Sequence, residues 1–265
     1  NRGHKSFVTY NAYEAYAVGV NPDISSCTPK ENCNGVFYFY NGSKWTRVAN
    51  PFKNDYNGGV VYSLNAMVGQ ENNGEGNPNP LWVVGSNSRI ATIPLYYRTP
   101  GNTTSPYPAQ FQAVSFTTSI PPGENRDFYA IDAAQTYGGT VIAGGQNGLV
   151  AFTGLTGWEI STPTVSSGGA GHTGISGENI TAIRFTNYNT AYILTTTFAE
   201  DSTDGNLPKA PYKHDCTGTG TRTTYIYKVS TSAMSSWNQI ASIDGKCGYD
   251  LAVGTRSTDL GTDGL

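Results

Sequence analysis

Apolar and polar residues alternate along this chain in short runs punctuated by Gly, Asn and Pro, and no longer stretch carries the 3.6-residue apolar spacing of a helix. The best-formed runs share one plan. GVFYFYNGSKWTRV (35–48), GLVAFTGLTGWEIS (148–161) and TTYIYKVSTSAMSSWNQIAS (223–242) each give an alternating strand, a polar turn, and a second strand opened by Trp45, Trp158 or Trp237. One supersecondary unit repeated along a chain cannot bury its apolar face alone, so the copies must pack on one another. The pattern predicts four sheets of four strands, a to d in chain order. Their strands lie at 6–10, 14–19, 36–40 and 45–48; at 60–64, 81–85, 90–96 and 111–116, with Phe111 in the tryptophan's place; at 128–133, 140–144, 148–152 and 158–160; and at 180–185, 191–196, 224–229 and 237–241. A remnant at 249–254 would begin a further sheet or close a ring. Three polar, turn-rich stretches, 70–80, 97–108 and 200–223, read as insertions in surface loops.

The segments TVIAGGQNGLVAFTGLTGW (140–158) and VFYFYNGSKW (36–45) resemble blades of bacterial β-propellers of the BNR-repeat kind, with a Gly-rich turn after strand b, an apolar strand c, then a turn and Trp. The resemblance implies an all-β propeller occupying residues 1–265 as one domain, with blades at about 6–50, 58–118, 126–162 and 178–242 and a remnant over 243–265. Four units and a remnant fit a small ring, a five-bladed ring with a degenerate blade, or part of a larger ring. A β-sandwich is the competing all-β reading, but it gives no reason for a Trp to recur at one strand start. The Asp-box S-x-D-x-G-x-x-W of sialidase-type blades is missing: Tyr40-Asn41-Gly42-Ser43-Lys44-Trp45 keeps only Gly and Trp. Sialidase chemistry therefore does not follow from the fold.

Propeller geometry assigns faces. The b–c and d–a connections emerge on one face, where the stretches holding Cys27, Cys33 and Cys216 stand together. Candidate binding residues on this face are Asn87, Gln146, His172, Tyr212 and His214.

Composition narrows the function. Charged residues make up 13% of the 265, about half the usual share, while Gly (32) and Tyr (18) are abundant. The net charge of −3 and the scattered Lys and Arg argue against nucleic acid, which needs a basic field. No apolar run approaches the ~20 residues that span a bilayer. The start, Asn1-Arg2-Gly3, is that expected of a processed product or a piece of a longer chain. Four cysteines without CxxC or Cys/His clustering point to two bridges, Cys27–Cys33 and Cys216–Cys247 being the favoured pairing of the three possible. With low charge and three sequons, at Asn41, Asn102 and Asn179, they point to a secreted or cell-surface protein, extracellular or periplasmic.

Candidate chemistry is sparse. No nucleophile elbow, HExxH helix or P-loop is present. Glycoside hydrolysis would need two carboxylates roughly 5–9.5 Å apart. The candidates are Asp23, Glu31, Asp55, Glu124, Asp127, Asp132, Glu159, Glu178, Asp215 and Asp244, with Asp127 and Asp132 first because they flank or enter an innermost strand. Arg89, Arg126 and Arg184 are the arginines that would hold a substrate carboxylate. Asp201, Asp204 and Asn206 offer oxygen ligands for calcium, although the D-x-[DN]-x-[DN]-G spacing is not met; no other cofactor is expected. The sequence favours a non-catalytic binding or adhesion module recognising a protein or glycan. Its alternatives are a carbohydrate-active glycosidase or lyase with acids near the axis, and a structural domain of a larger surface protein or self-assembling filament.

Overall fold

The computed structural model describes residues 4–11, 14–19, 35–40, 42–48, 64–69, 79–86, 88–95, 112–113, 126–135, 138–154, 157–166, 172–197, 222–248 and 250–253. Among them the alternating runs form four antiparallel sheets of consecutive strands. Sheet 1 holds β1 (His4–Asn11), β2 (Glu14–Gly19), β3 (Val36–Tyr40) and β4 (Trp45–Val48). Sheet 2 holds β5 (Leu64–Gly69), β6 (Asn79–Gly85), β7 (Ile90–Leu95) and β8 (Gln112–Ala113). Sheet 3 holds β9 (Phe128–Ala133), β10 (Val141–Gly145), β11 (Val150–Gly154) and β12 (Gly157–Ser161). Sheet 4 holds β14 (Glu178–Asn187), β15 (Thr190–Thr197), β16 (Thr223–Ser230) and β17 (Ser236–Asp244), and gains a fifth strand, β13 (Thr164–Ser166), laid parallel on the outer edge of β17. No sheet closes into a barrel among these residues. No helix of the described residues is long and apolar enough to cross a membrane.

The sheets stack in chain order, the first strand of each against the first strand of the next: β1 on β5, β5 on β9, β9 on β14. Three apolar layers result. Tyr16, Val18, Phe37 and Phe39 of sheet 1 meet Leu64, Met67, Leu81 and Val83 of sheet 2. Val84 and Ile90, on the other face of sheet 2, meet Phe128, Ile131, Val141, Ala143 and Trp158. Ala130, Ile142 and Val150, on the other face of sheet 3, meet Ile180, Ile183, Ile193, Tyr227 and Trp237. Successive side chains of a strand point to opposite faces, so a sheet covered on both sides must be apolar throughout. β10 (VIAGG) is buried at all its positions for this reason.

Polar links fix the direction of the first strands. Asn65 Nδ2 donates to Phe128 O (2.6 Å) where β5 and β9 begin, and Gln135 Nε2 donates to Gly69 O (3.0 Å) where they end. Asn147 N donates to Asn179 Oδ1 (2.9 Å) beside the start of β14, and Phe185 N donates to Asp132 Oδ2 (2.8 Å) near its end. β5, β9 and β14 therefore run side by side in one direction.

Several expectations are corrected. The described part of the first strand of sheet 2 runs over Leu64–Gly69, past the expected end at 64, and 60–63 lie outside the described residues. Buried Asn65 interrupts its alternation, its amide spent on the neighbouring sheet. Trp158 and Trp237 are buried between sheets, but Trp45 is 46% exposed and rests on the Tyr40 ring, 5.3 Å between centroids. The Tyr40 hydroxyl donates to Gly42 O (2.8 Å), which holds the pair together. Phe111 lies outside the described residues. Within the remnant, 250–253 form no strand. The chain before them crosses the far face of sheet 4 instead, where Gly248 N donates to Thr196 Oγ1 (3.0 Å) and Thr224 Oγ1 (2.8 Å), and Thr181 Oγ1 donates to Gly248 O (2.7 Å).

Close stacking restricts side-chain size. A Cβ at Gly145 would lie 1.9 Å from Asp127 O, a backbone atom that cannot swing away. Gly145→Ala is expected to destabilise the fold by about 3 kcal/mol in urea unfolding. Gly138→Ala, at φ +64° with open space around it, is expected to cost about 1 kcal/mol from backbone conformation alone.

Candidate functional site

At the end where β9 and β14 begin, the turn Gln146–Gly148 joins β10 to β11. Asn147 adopts the left-handed conformation (φ 50°, ψ 50°), which its short amide tolerates. The turn is bonded on every side. Gln146 N donates to Asp127 O (2.8 Å), Gly177 N donates to Asn147 Oδ1 (2.6 Å), and Arg126 Nη1 donates to Asn147 O (3.1 Å). From the corresponding turn of sheet 2, Ser88 N (2.7 Å) and Oγ (2.8 Å) both donate to Arg126 O. Ser88, Arg126, Asn147, Gly177 and Asn179 thus form a continuous polar platform across sheets 2, 3 and 4.

Beside this platform, the Gly177 turn (φ +84°) directs Glu178 inward as β14 starts. Its carboxyl is buried, and the hydroxyls of Thr195 and Tyr227 converge on it, the latter at 2.9 and 3.1 Å from Oε2 and Oε1. His172 Nε2 lies 2.6 Å from the Tyr227 hydroxyl and 3.1 Å from Glu178 Oε1. The imidazole stacks on Tyr225, with centroids 4.4 Å apart at 18°. Burial outweighs the two hydroxyl donors and pushes the Glu178 pKa up to about 7. Burial also raises the Tyr227 hydroxyl and lowers His172. The set can exchange a proton near neutrality, and it is reached from solvent through half-buried His172.

Of the residues singled out in the sequence, Gln146 and His172 stand at this end. Asn87, Tyr212, His214, Asp201, Asp204, Asn206, Asn41, Asn102, Cys27, Cys33 and Cys216 lie outside the described residues. Cys247 is the one cysteine among the described residues and is not free; its Sγ also accepts from Arg222 Nη1 at 3.7 Å. Asn179 is buried, with its Oδ1 taken by Asn147 N and the hydroxyl of Thr181, its sequon partner, bonded to Gly248 O. A glycan there would have to break this packing. Asp127 is buried at the start of β9. Asp132, at the other end of β9, is raised by burial against the lowering pull of the Phe185 and Ala133 amides and of Arg184. Arg184 pairs with Asp250 (2.8 Å) on the surface, away from Arg126. Among the described residues no three His, Cys, Asp or Glu are grouped to hold a metal. Thr195, Tyr225 and Tyr227 were not singled out. The alternation of TTYIYKV placed both tyrosines on one strand face, which was the available signal. No protein-family model matches the chain, and no curated protein matches it either.

The raised Glu178 value has a signed consequence. The folded state holds a proton that the unfolded carboxyl, ordinarily near 4.5, has released, so this contribution to stability is complete below that value and is lost as pH rises through about 7. Between pH 5 and 8 the wild-type unfolding free energy is expected to fall by about 2–3 kcal/mol through this group. Glu178→Gln is expected to remove that slope in denaturant titrations at each pH.

Proposed function

We propose that the four sheets are blades of a β-propeller, and that the chain is an exported, non-catalytic binding module taking a protein or glycan on the face where the first strands begin. The side-by-side, same-direction course of β5, β9 and β14 supports the ring reading. The observation that carries the binding reading is the preorganised end of sheets 2 to 4, where buried Ser88 holds the Arg126 carbonyl and Arg126 and Gly177 hold Asn147 before any ligand arrives. Preorganised polar groups lose little freedom on binding. The connections 20–34 and 198–222 leave sheets 1 and 4 at their b–c ends, the same kind of end that carries the platform in sheets 2 and 3. In this reading Cys27–Cys33 and Cys216–Cys247 bridge those connections, which intact mass before and after reduction tests.

Asp132 and Glu178 cannot form the acid pair of the carbohydrate-active alternative. Asp132 lies beside Phe185 and Glu178 is seven residues earlier on the same strand, a separation of about 20 Å at 3.3 Å per residue. A glycosidase pair stands within about 5–9.5 Å.

A glycan array tests the proposal. Saturable retention of the chain, reduced at least about tenfold by Arg126→Ala with an unchanged melting temperature, is the expected result for a glycan ligand, one interfacial charged hydrogen bond being worth about 1.5–3 kcal/mol. A blank array moves the ligand to protein. Release of sugars from the array by wild-type chain overturns the non-catalytic reading.

A further inference from the structure

We propose that segment 172–177 is a proton-fastened latch on the end of sheet 4, held down while Glu178 is protonated and loosened when that carboxyl ionises. The inference concerns the segment alone and does not rest on what the neighbouring face binds. Its basis is the set of hydrogen bonds around a buried carboxyl. Glu178 is 1% exposed, and among the described residues its carboxyl is bonded by Thr195 from β15, Tyr227 from β16 and His172 from the segment itself. As a carboxylic acid it completes a network of neutral groups. With the other ring nitrogen protonated, its O–H donates to His172 Nε2, while its other oxygen accepts from Thr195 and Tyr227. That one bond to His172 ties the segment to the sheet and is lost when the proton leaves. As a carboxylate it is a charge shut away from water, and no Lys or Arg pairs with it among the described residues. Opening the segment lets water reach that charge.

Other polar groups stand around Glu178. Tyr225 and Tyr227 face it from β16, and Thr195 from β15 does not titrate in this range. On the sheet 3 side, Arg126 is engaged with Asn147 O, and the Asp127 backbone carbonyl is engaged with Gln146 N. Burial lowers His172 as well. The direction agrees with linkage. A carboxyl at about 7 when covered, and at its ordinary value when open to water, takes up a proton on closing, so closure is favoured below neutrality and weakens above it. Other ties of the segment do not depend on pH and set the hinge points: Gly177 N to Asn147 Oδ1, Val165 N to Thr173 O (3.1 Å), Glu178 N to Ile175 O (3.2 Å), the Thr164–Gly174 bridge and the burial of Ile175 in the core.

Hydrogen exchange of the whole chain, read by mass spectrometry at pH 6 and pH 8.5 with intrinsic rates corrected, tests the latch. Amides of 172–178 are expected to lose about tenfold in protection at the higher pH while β9–β11 keep theirs. Glu178→Gln keeps the shape and the neutral state, and is expected to leave the segment as protected at pH 8.5 as at pH 6. Tyr227→Phe removes a donor to the carboxylate and is expected to move the wild-type step upward by about one pH unit. Equal or greater wild-type protection at pH 8.5, a step that survives Glu178→Gln, a Glu178→Gln segment unprotected at both pH values, or an unmoved step in Tyr227→Phe would each overturn the proposal.

Discussion

Because sheet 3 is covered on both faces, every side chain in it answers to a neighbouring sheet, and the spacing between sheets is set by its smallest members. Ala143 and Ala151 face sheet 2, Ala130 faces sheet 4, and Gly144 sits so close to Ile180 that a Cβ there would lie 2.4 Å from its Cγ2. Interiors are packed at near-crystalline density, so such a layer has no slack. The indole of Trp158 fills the wider outer part of the gap, edge-on to Trp82 of sheet 2 at 5.4 Å, and Trp237 is buried in the next gap, its ring 5.6 Å from that of Tyr227 in its own sheet. Small residues on the inner strands and a large ring on an outer one give each gap a taper.

The same constraint explains why the polar groups are where they are. A gap with no room for water must satisfy each of its own donors and acceptors. Asn65, Asp132 and Asn179 do so by bonding the backbone of the adjacent sheet. These links also set the relative height of the sheets, since apolar layers alone tolerate sliding. Glu178 is the member of this group whose state varies with conditions, because its partners are hydroxyls and an imidazole.

Much of this order was legible in the residues. The strands of sheet 3 fall within two residues of where alternation and turn glycines put them, since TVIAGG and its neighbours are marked by apolar runs bounded by Gly. Trp45 opens the fourth strand of its sheet as Trp158 and Trp237 do, but those two are buried against the preceding sheet while Trp45 is largely exposed, a difference of environment and not of local pattern. β13 left no trace, because its three residues, Thr-Val-Ser, are mostly exposed and pair with a strand some seventy residues later. His172 and Glu178 were each visible as polar residues of a turn. Their meeting with Tyr227 depends on register across β14, β15 and β16, which no short window of sequence encodes.

The clasp formed by β13 has a mechanical consequence. Thr164 and Ser166 bond Ser235 and Trp237 carbonyls, so the chain leaving sheet 3 is sewn to the last strand of sheet 4 before sheet 4 itself has begun. The whole of β14 to β16 is thereby enclosed in a covalent loop tied at its base. Tension along the chain meets that knot before it reaches the inner ladder, so sheet 4 resists unzipping from its rim.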